Sequence, residues 1–363
     1  MTRALVALGH QPEVFVLSDR ALEVIDHRGV RVTRVPRRAP AGKLRWGRVA
    51  TRLPLLRGYR PLLEILAGAS QLAAAFEARD REMPFDLVQS SDFLATGRYV
   101  KPRGGRPHVL RCSNARTLVA AADEGDSASM RRWWVRLETE AVCRSEIVYA
   151  PSQFVADHYA ERVGRQVGVV RPAAKAVAVP VEPTGLPERF LLHFGQLREG
   201  KGTRWILEAL PLAWREEPGL RMLMVGPFRD SRLAREFARI SSNEPRLTRI
   251  AELAKSEMYG TIRRATAVVL PSLVDNLPNT VIESLMMGTP VVGSLGASID
   301  ELVEHGVTGE LVPIGDVGAL AQALVRAWRG EWGVRKGFTW ESGIARSMEP
   351  AEAVGALFAF TGI

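Results

Sequence analysis

A chain of 363 residues, 46% of them hydrophobic and 25% charged, has the composition of a globular protein of about two domains and excludes a disordered one. Two cysteines and six scattered histidines exclude a multi-disulfide framework, a Cys-rich zinc or iron–sulfur site and a dedicated transition-metal site. The net charge of +9 favours acidic partners (nucleotides, anionic lipid surfaces or nucleic acid) without choosing among them.

The spacing of apolar residues predicts a helix over 2–8 stopped by Gly9, then strands over 13–17 and 30–35. Residues 36–60 carry eight Lys or Arg with no long period and read as a basic loop. An amphipathic helix follows over 62–76, with Ile65, Leu66, Leu72 and Phe76 on one side. Strands are expected over 85–89 and 109–111, a helix over 128–143, and a strand over 147–150 ending at Pro151, with Ser152 as the N-cap of the next helix. Pro172, Pro180, Pro183 and Pro187 then punctuate a linker around a short strand at 176–179. Beyond it the alternation is regular. Strands are expected over 190–194, 221–225, 247–250, 267–270, 290–292 and 310–312. Helices are expected over 203–214, 232–240, 253–263, 281–287, 299–304 and 317–328.

Short apolar strands alternating with helices imply a parallel sheet covered on both faces. The fold class is therefore α/β, with two doubly wound, Rossmann-like domains facing across a cleft. Such folds bind ligands at the carboxyl ends of strands, where helix N-termini point amides at anions. The best-marked loops of that kind are 195–202 and 271–280. The longest uncharged run, 284–299, is too short for a membrane span and is broken by glycine and serine. The mixed first residues do not read as a signal peptide, so a cytoplasmic location is expected.

Several familiar sites fail on single residues. The loop Gly195-Gln196-Leu197-Arg198-Glu199-Gly200-Lys201-Gly202 comes within one residue of an ATPase phosphate loop, but Gly202 stands where a magnesium-binding hydroxyl belongs. The dinucleotide fingerprint is missing because Trp205 occupies its third glycine. There is no D-x-D pair and no H-E-x-x-H. The basic stretch holds only two aromatics, Trp46 and Tyr59, too few for stacking on nucleic acid. It reads as a solvated or membrane-facing surface.

Two segments carry a resemblance. One is the 195–202 loop. The other is Pro271-Ser-Leu-Val-Asp275-Asn276-Leu277-Pro278-Asn279-Thr280-Val-Ile-Glu283-Ser284, running on through Gly288-Thr-Pro290 to Gly296, Asp300-Glu301 and Gly306-Val-Thr-Gly309. In order, these resemble the nucleotide-sugar half of the retaining glycosyltransferases of family four, which have the GT-B fold. The resemblance implies an N-terminal acceptor-side domain over 1–170, completed by C-terminal helices over 340–363, and a nucleotide-sugar domain over 171–339. The family's E-x7-E pair would here be Asp275 and Glu283, touching the transferred sugar and the ribose diol respectively. Lys201 would face the diphosphate. Gly195, Gln196, Asn276, Leu277, Asn279 and Thr280 would complete the donor site, the last two through helix-opening amides. Carboxylates suit hydroxyl ligands because each oxygen accepts strong charge-assisted bonds. A competing reading makes Thr280 and Glu283 a capping box.

The implied function is a metal-independent, retaining transfer of a sugar from a nucleoside-diphosphate sugar, uracil slightly favoured, to an acceptor hydroxyl. Lys201 and Asp275 would be its catalytic residues. No cofactor is expected, because the nucleotide sugar is a co-substrate. Nucleic acid is not an expected partner; the acceptor is left open between a lipid-linked, membrane-surface or small-metabolite hydroxyl. Peripheral contact with the inner face of a membrane would come through the basic stretch. A nucleotide-sugar epimerase or hydrolase is the alternative, as is a non-catalytic nucleotide- or nucleic-acid-binding protein.

Three departures from the family pattern stand out. Gln196 replaces the family's loop arginine, leaving Arg198 and Arg229 as substitutes. The family's first-domain histidine falls near Ser113, with Asn114 and Arg116 following, whereas His108 reads as structural. Residues 1–10 read as a helix that in the family follows an opening strand. Either the sequence begins after that strand or the domain is built differently, and losing the strand would cost several kcal/mol of burial.

Overall fold

Runs of four nearly wholly apolar residues have no polar face to offer water, so they settle as interior strands and leave the amphipathic segments to cover them. The computed structural model of the chain describes residues 1–37, 60–102, 104–113, 118, 128–176, 178–332 and 336–363. The basic stretch over 38–59, with Trp46 and Tyr59, lies outside the described residues, as do Asn114 and Arg116. The chain divides into two units: Met1–Ala173 with Met348–Ile363, and Ala174–Ser347.

Unit 1 opens with α1 (Thr2–Ala7), β1 (Glu13–Ser18), β2 (Glu23–Asp26) and β3 (Arg31–Pro36). Its long helix α2 (Arg60–Glu82) is followed by β4 (Val88–Ser91), β5 (His108–Arg111), α3 (Ala128–Arg144), β6 (Ile147–Ala150), α4 (Gln153–Val163) and β7 (Gly168–Val169). The strands form two sheets. One has the order β1-β3-β2, with β1 and β3 parallel and β2 antiparallel; the other is the parallel series β4-β5-β6-β7. Phe15 of β1 meets Phe76 and Phe85 edge-on, at 6.1 and 6.2 Å, and so packs against α2 and the approach to β4. Asp80 of α2 is buried and held by Arg106 through two bonds of 2.9 and 2.7 Å. Ser152 caps α4 as expected, accepting from Val155 N at 3.2 Å.

Unit 2 runs β8 (Leu191–Phe194), a single 3₁₀ turn (Glu199–Lys201), α5 (Thr203–Glu216), β9 (Met222–Val225), α6 (Ser231–Ser241), β10 (Leu247–Ile250) and α7 (Lys255–Arg264). It continues with β11 (Ala267–Leu270), α8 (Asn279–Met286), β12 (Val291–Leu295), β13 (Gly309–Pro313), α9 (Val317–Arg329) and α10 (Gly343–Ser347). Its six strands are all parallel in the order β10-β9-β8-β11-β12-β13. Every residue of β8, β9 and β11 is buried. On one face α5 and α9 pack together over them, with Ile206, Leu207, Leu210, Leu320 and Leu324 in the shared core. Each such side chain contributes roughly 1.5–3 kcal/mol of burial. Asp316 starts α9 by accepting from Ala319 N at 2.8 Å.

Three expectations are corrected. No described residue of 176–179 lies in a strand, and Val179 is 80% exposed; the prolines around it withhold ladder donors, and the strand that extends the sheet is β7. Residues 299–304 form turns rather than a helix. Ala297 and Ser298 have φ of 55° and 59°, so the chain enters the segment left-handed, and Ile299, Leu302 and Val303 bury themselves from successive turns. The strand expected over 85–89 begins only at Val88, where the backbone first pairs with β5. The two units part between Ala173 and Ala174 and again between Ser347 and Met348. Arg171 donates to Pro151 O at 2.9 Å and stays with unit 1, whereas Gly337 N bonds to Gly288 O at 2.7 Å, so the chain is still part of unit 2 until Ser347. The strand β2, closed by a turn with Arg28 and Gly29 at positive φ, was not expected.

Candidate nucleotide-sugar site in unit 2

Strand order reverses between β8 and β11, because the chain builds outward from β8 to β10 and then returns to start β11 on the other side. That switch point opens a crevice at the strands' carboxyl ends, where α/β sheets take ligands. The 195–202 loop leaves β8 there and the 271–280 loop leaves β11 beside it. Leu273 N donates to Gly200 O at 3.1 Å, tying the two together. Gly202 has φ +73°, and a Cβ on it would overlap Pro271 O. The close approach therefore requires glycine.

The two loops bring Lys201 and Asp275 into an ion pair, with side chains 20% and 12% exposed. Asp275 Oδ1 also accepts from Asn276 N at 3.1 Å, and Ser298 Oγ donates to the Asp275 carbonyl at 3.1 Å. The left-handed turn after β12 thus braces the acidic loop. Leu277 and Pro278 are buried beneath it. Asn279 begins α8, so its amide and that of Thr280 are among the four that a helix leaves without intrahelical acceptors. Thr280 Oγ1 is enclosed with no hydrogen-bond partner among the described residues, and its methyl faces Gly195. A buried hydroxyl of that kind needs a water or ligand to complete it.

Glu283 does not close the helix end. The N-cap of α8 is Pro278, no side chain caps it, and Thr280 already lies inside the helix; the capping-box reading is overturned. Instead Glu283 Oε1 accepts from Lys255 at the start of α7. Lys255 had no motif to mark it. Its one local signal was a cation at the first position of a helix, where the dipole disfavours it. Gln196 is exposed on the rim of the loop. Leu197 N bonds to Pro227 O and Arg229 N to Leu197 O, both at 3.0 Å, which sets Arg229 alongside the same loop. Gly226, at φ +132°, has no room for a Cβ against Gly195 O. Beneath the loop, fully buried His193 donates from Nδ1 to Val269 O at 2.8 Å and accepts from Thr203 Oγ1 at 3.0 Å. Burial pushes its pKa down to about 4, aided by the Lys201 charge and opposed by the Val269 carbonyl.

In unit 1, Ser113 is bound by its amide to buried Asp92 at 2.8 Å, and Tyr159 donates to the other carboxylate oxygen at 3.1 Å. His108 opens β5 and pairs with Ser90 Oγ at 2.9 Å; burial lowers its pKa, in keeping with a structural role. Among the described residues, no three His, Cys, Asp or Glu side chains are grouped as a metal site requires, and no helix is long and apolar enough to cross a membrane.

Two Rossmann-like α/β units, one of them doubly wound with paired lysines and carboxylates at its switch point, define the GT-B class of fold. Residues 1–182 match the family described as glycosyl transferase 4-like domain, and residues 188–329 match glycosyl transferases group 1. The chain belongs to this group of glycosyltransferases, the family 4-like members of the GT-B superfamily. It is similar to the glycogen synthase of Mycobacterium tuberculosis, at 29% identity over 260 residues covering 68% of this chain and 60% of that one. Against this and other curated relatives it spans 60% or less of their length. Among solved structures it resembles sucrose-phosphate synthase from Thermosynechococcus elongatus, with a TM-score of 0.67 at 19% identity over 99% of this chain and 88% of that one. It also resembles the E. coli trehalose-6-phosphate protein bound with UDP-2-fluoro glucose, with a TM-score of 0.69 at 12% identity over 99% and 94%. Identities this low carry the fold alone.

Proposed function

We propose that the chain transfers a glycosyl group from a nucleoside-diphosphate sugar to an acceptor hydroxyl, with retention at the anomeric carbon and without a metal. The reading rests on one arrangement: the Lys201–Asp275 ion pair ties the two loops at the switch point of unit 2, and the Asp275 loop leads into α8 with its unsatisfied Thr280 hydroxyl. A donor diphosphate would draw Lys201 toward its oxygens, and the Asn279 and Thr280 amides with Thr280 Oγ1 would bind the same charge. Asp275, released from Lys201, would accept hydroxyls of the sugar, and Glu283 those of the ribose. As the bond from the anomeric carbon to the diphosphate breaks, Lys201 and the amides stabilise the leaving oxygens where negative charge develops. The acceptor oxygen bonds to the same carbon from the same face, and its proton passes to the departing phosphate. No protein base is required. Arg229, beside the loop, would supply the positive charge that Gln196 lacks. A uridine donor is the first to be tried. The acceptor is a hydroxyl on a lipid-linked, membrane-surface or small-metabolite carrier, at a cytoplasmic location.

Calorimetric titration with UDP, GDP, ADP and dTDP in EDTA tests this. One diphosphate should bind saturably, and Glu283→Ala should abolish that binding. Lys201→Ala should lower turnover more than donor affinity, as expected for a contact that strengthens in the transition state. Binding that disappears with EDTA, or that Glu283→Ala leaves intact, would overturn the reading.

A further inference from the structure

Lys255 breaks a local rule. It is the first residue of α7, where a positive charge opposes the helix dipole, and an acid there would be worth a few tenths of a kcal/mol up to about 1. The nearby acid does not compensate it: Glu257 is committed to Ala254 N at 2.9 Å, closing the helix end. Lys255 Nζ instead lies 4.9 Å from the centroid of the buried Tyr259 ring, one turn along, and reaches across to Glu283 Oε1 on α8. The ring and the carboxylate together hold a side chain that is itself 45% exposed. Loose surface lysines do not pay rotamer entropy for such a fixed position without a return.

The return lies in charge. Asp275 and Glu283 sit eight residues apart on one loop and helix. Two bare carboxylates would repel a diphosphate, yet each has its own lysine, Lys201 for Asp275 and Lys255 for Glu283. When the donor draws Lys201 away, Lys255 still neutralises one acid of the pair. Its contact is with Oε1 alone, which leaves Oε2 and a second lone pair of Oε1 for hydroxyl donors.

We infer that Lys255 is a positioning residue for Glu283: it fixes the direction of that carboxylate and cancels its charge, so that ribose hydroxyls are accepted without repelling the diphosphate beside them. This rests on the donor reading above and assigns to Lys255 the preference for ribose over 2′-deoxyribose.

The test is calorimetry with UDP and 2′-deoxy-UDP, and with GDP and 2′-deoxy-GDP alongside. It compares wild type, Lys255→Met, Lys255→Arg, Glu283→Gln and the Lys255→Met/Glu283→Gln double variant, each first shown to melt like wild type. Wild type should prefer the ribonucleotide. Lys255→Met should weaken it about tenfold, the scale of one charge-assisted bond. It should weaken the deoxynucleotide less, so that the preference shrinks. Lys255→Arg should restore the preference, and once Glu283 is Gln, Lys255→Met should leave it unchanged. If Lys255→Met keeps the wild-type preference, or weakens both sugars equally whatever stands at 283, the inference is wrong while the donor reading stands. If wild type binds no diphosphate, the donor reading falls and takes the inference with it.

Discussion

Acid should loosen unit 2 through a single imidazole. His193 is fully buried in β8, donating to Val269 O of β11 and accepting from Thr203 at the start of α5. It is folded in as the neutral ring. Burial lowers its pKa from 6.5 to about 4, so between those values the unfolded chain binds a proton that the folded chain refuses. Its contribution is complete above pH 6.5 and is lost as the pH falls toward 4. A shift of this size is worth about 3 kcal/mol at most, and about 2 kcal/mol of it should disappear between pH 8 and pH 5. The measurement is denaturant unfolding of wild type and His193→Gln at the two pH values. Burial also depresses His108 and His158, so the wild-type slope alone assigns nothing; the difference between the proteins does. The glutamine amide keeps a donor and an acceptor but does not titrate. Its pH dependence should be flatter by about 2 kcal/mol, and equal slopes would refute the argument.

Gly202→Ala should cost more than the roughly 1–2 kcal/mol of a left-handed alanine, because the new Cβ must displace Pro271 O. It should weaken diphosphate binding in calorimetry as well, since the same movement displaces the loop that carries Lys201. Arg106→Met should destabilise unit 1 by about 3 kcal/mol in urea unfolding, because it removes the guanidinium that bonds both oxygens of the Asp80 carboxylate, 1% exposed. An Asp80→Asn/Arg106→Met pair should recover part of that loss.

The interior of unit 2 was legible because its strands are buried on both faces. Leu191, Met222 and Val268 stand in runs that have no other stable place. The edge strand β2 was not, since Glu23-Val24-Ile25-Asp26 is mostly exposed and its pairing depends on a turn rather than on burial. Residues 299–304 misled for a different reason. Ile299, Leu302 and Val303 carry helical spacing, but the left-handed pair before them sets the path. In the candidate site, Asp275, Glu283 and Lys201 were marked by the family resemblance of their segments, and the structure pairs each of the two acids with a lysine. Lys255 was not: it meets Glu283 only because the crossover from β10 lands α7 against α8. A bond between helices from two different crossovers leaves no mark in a linear pattern. The same blindness made Thr280 and Glu283 look like a helix cap.

The return of the chain to unit 1 at Met348 sets an order of events during synthesis. α11 (Pro350–Thr361) belongs to a core it shares with segments made much earlier: Leu357 is buried with Val109, Tyr149 and Val170, and Phe360 lies so close over Gly168 that a Cβ there would strike its ring. Residues 1–173 leave the ribosome lacking this helix, whereas unit 2 is made from one uninterrupted stretch. The later-made unit is therefore the first whose strands and helices are all present to fold, and the earlier one waits with an apolar face of β5, β6 and β7 uncovered until α11 emerges. Newly made chains stalled before residue 350 should bind chaperones through unit 1 and resist protease through unit 2.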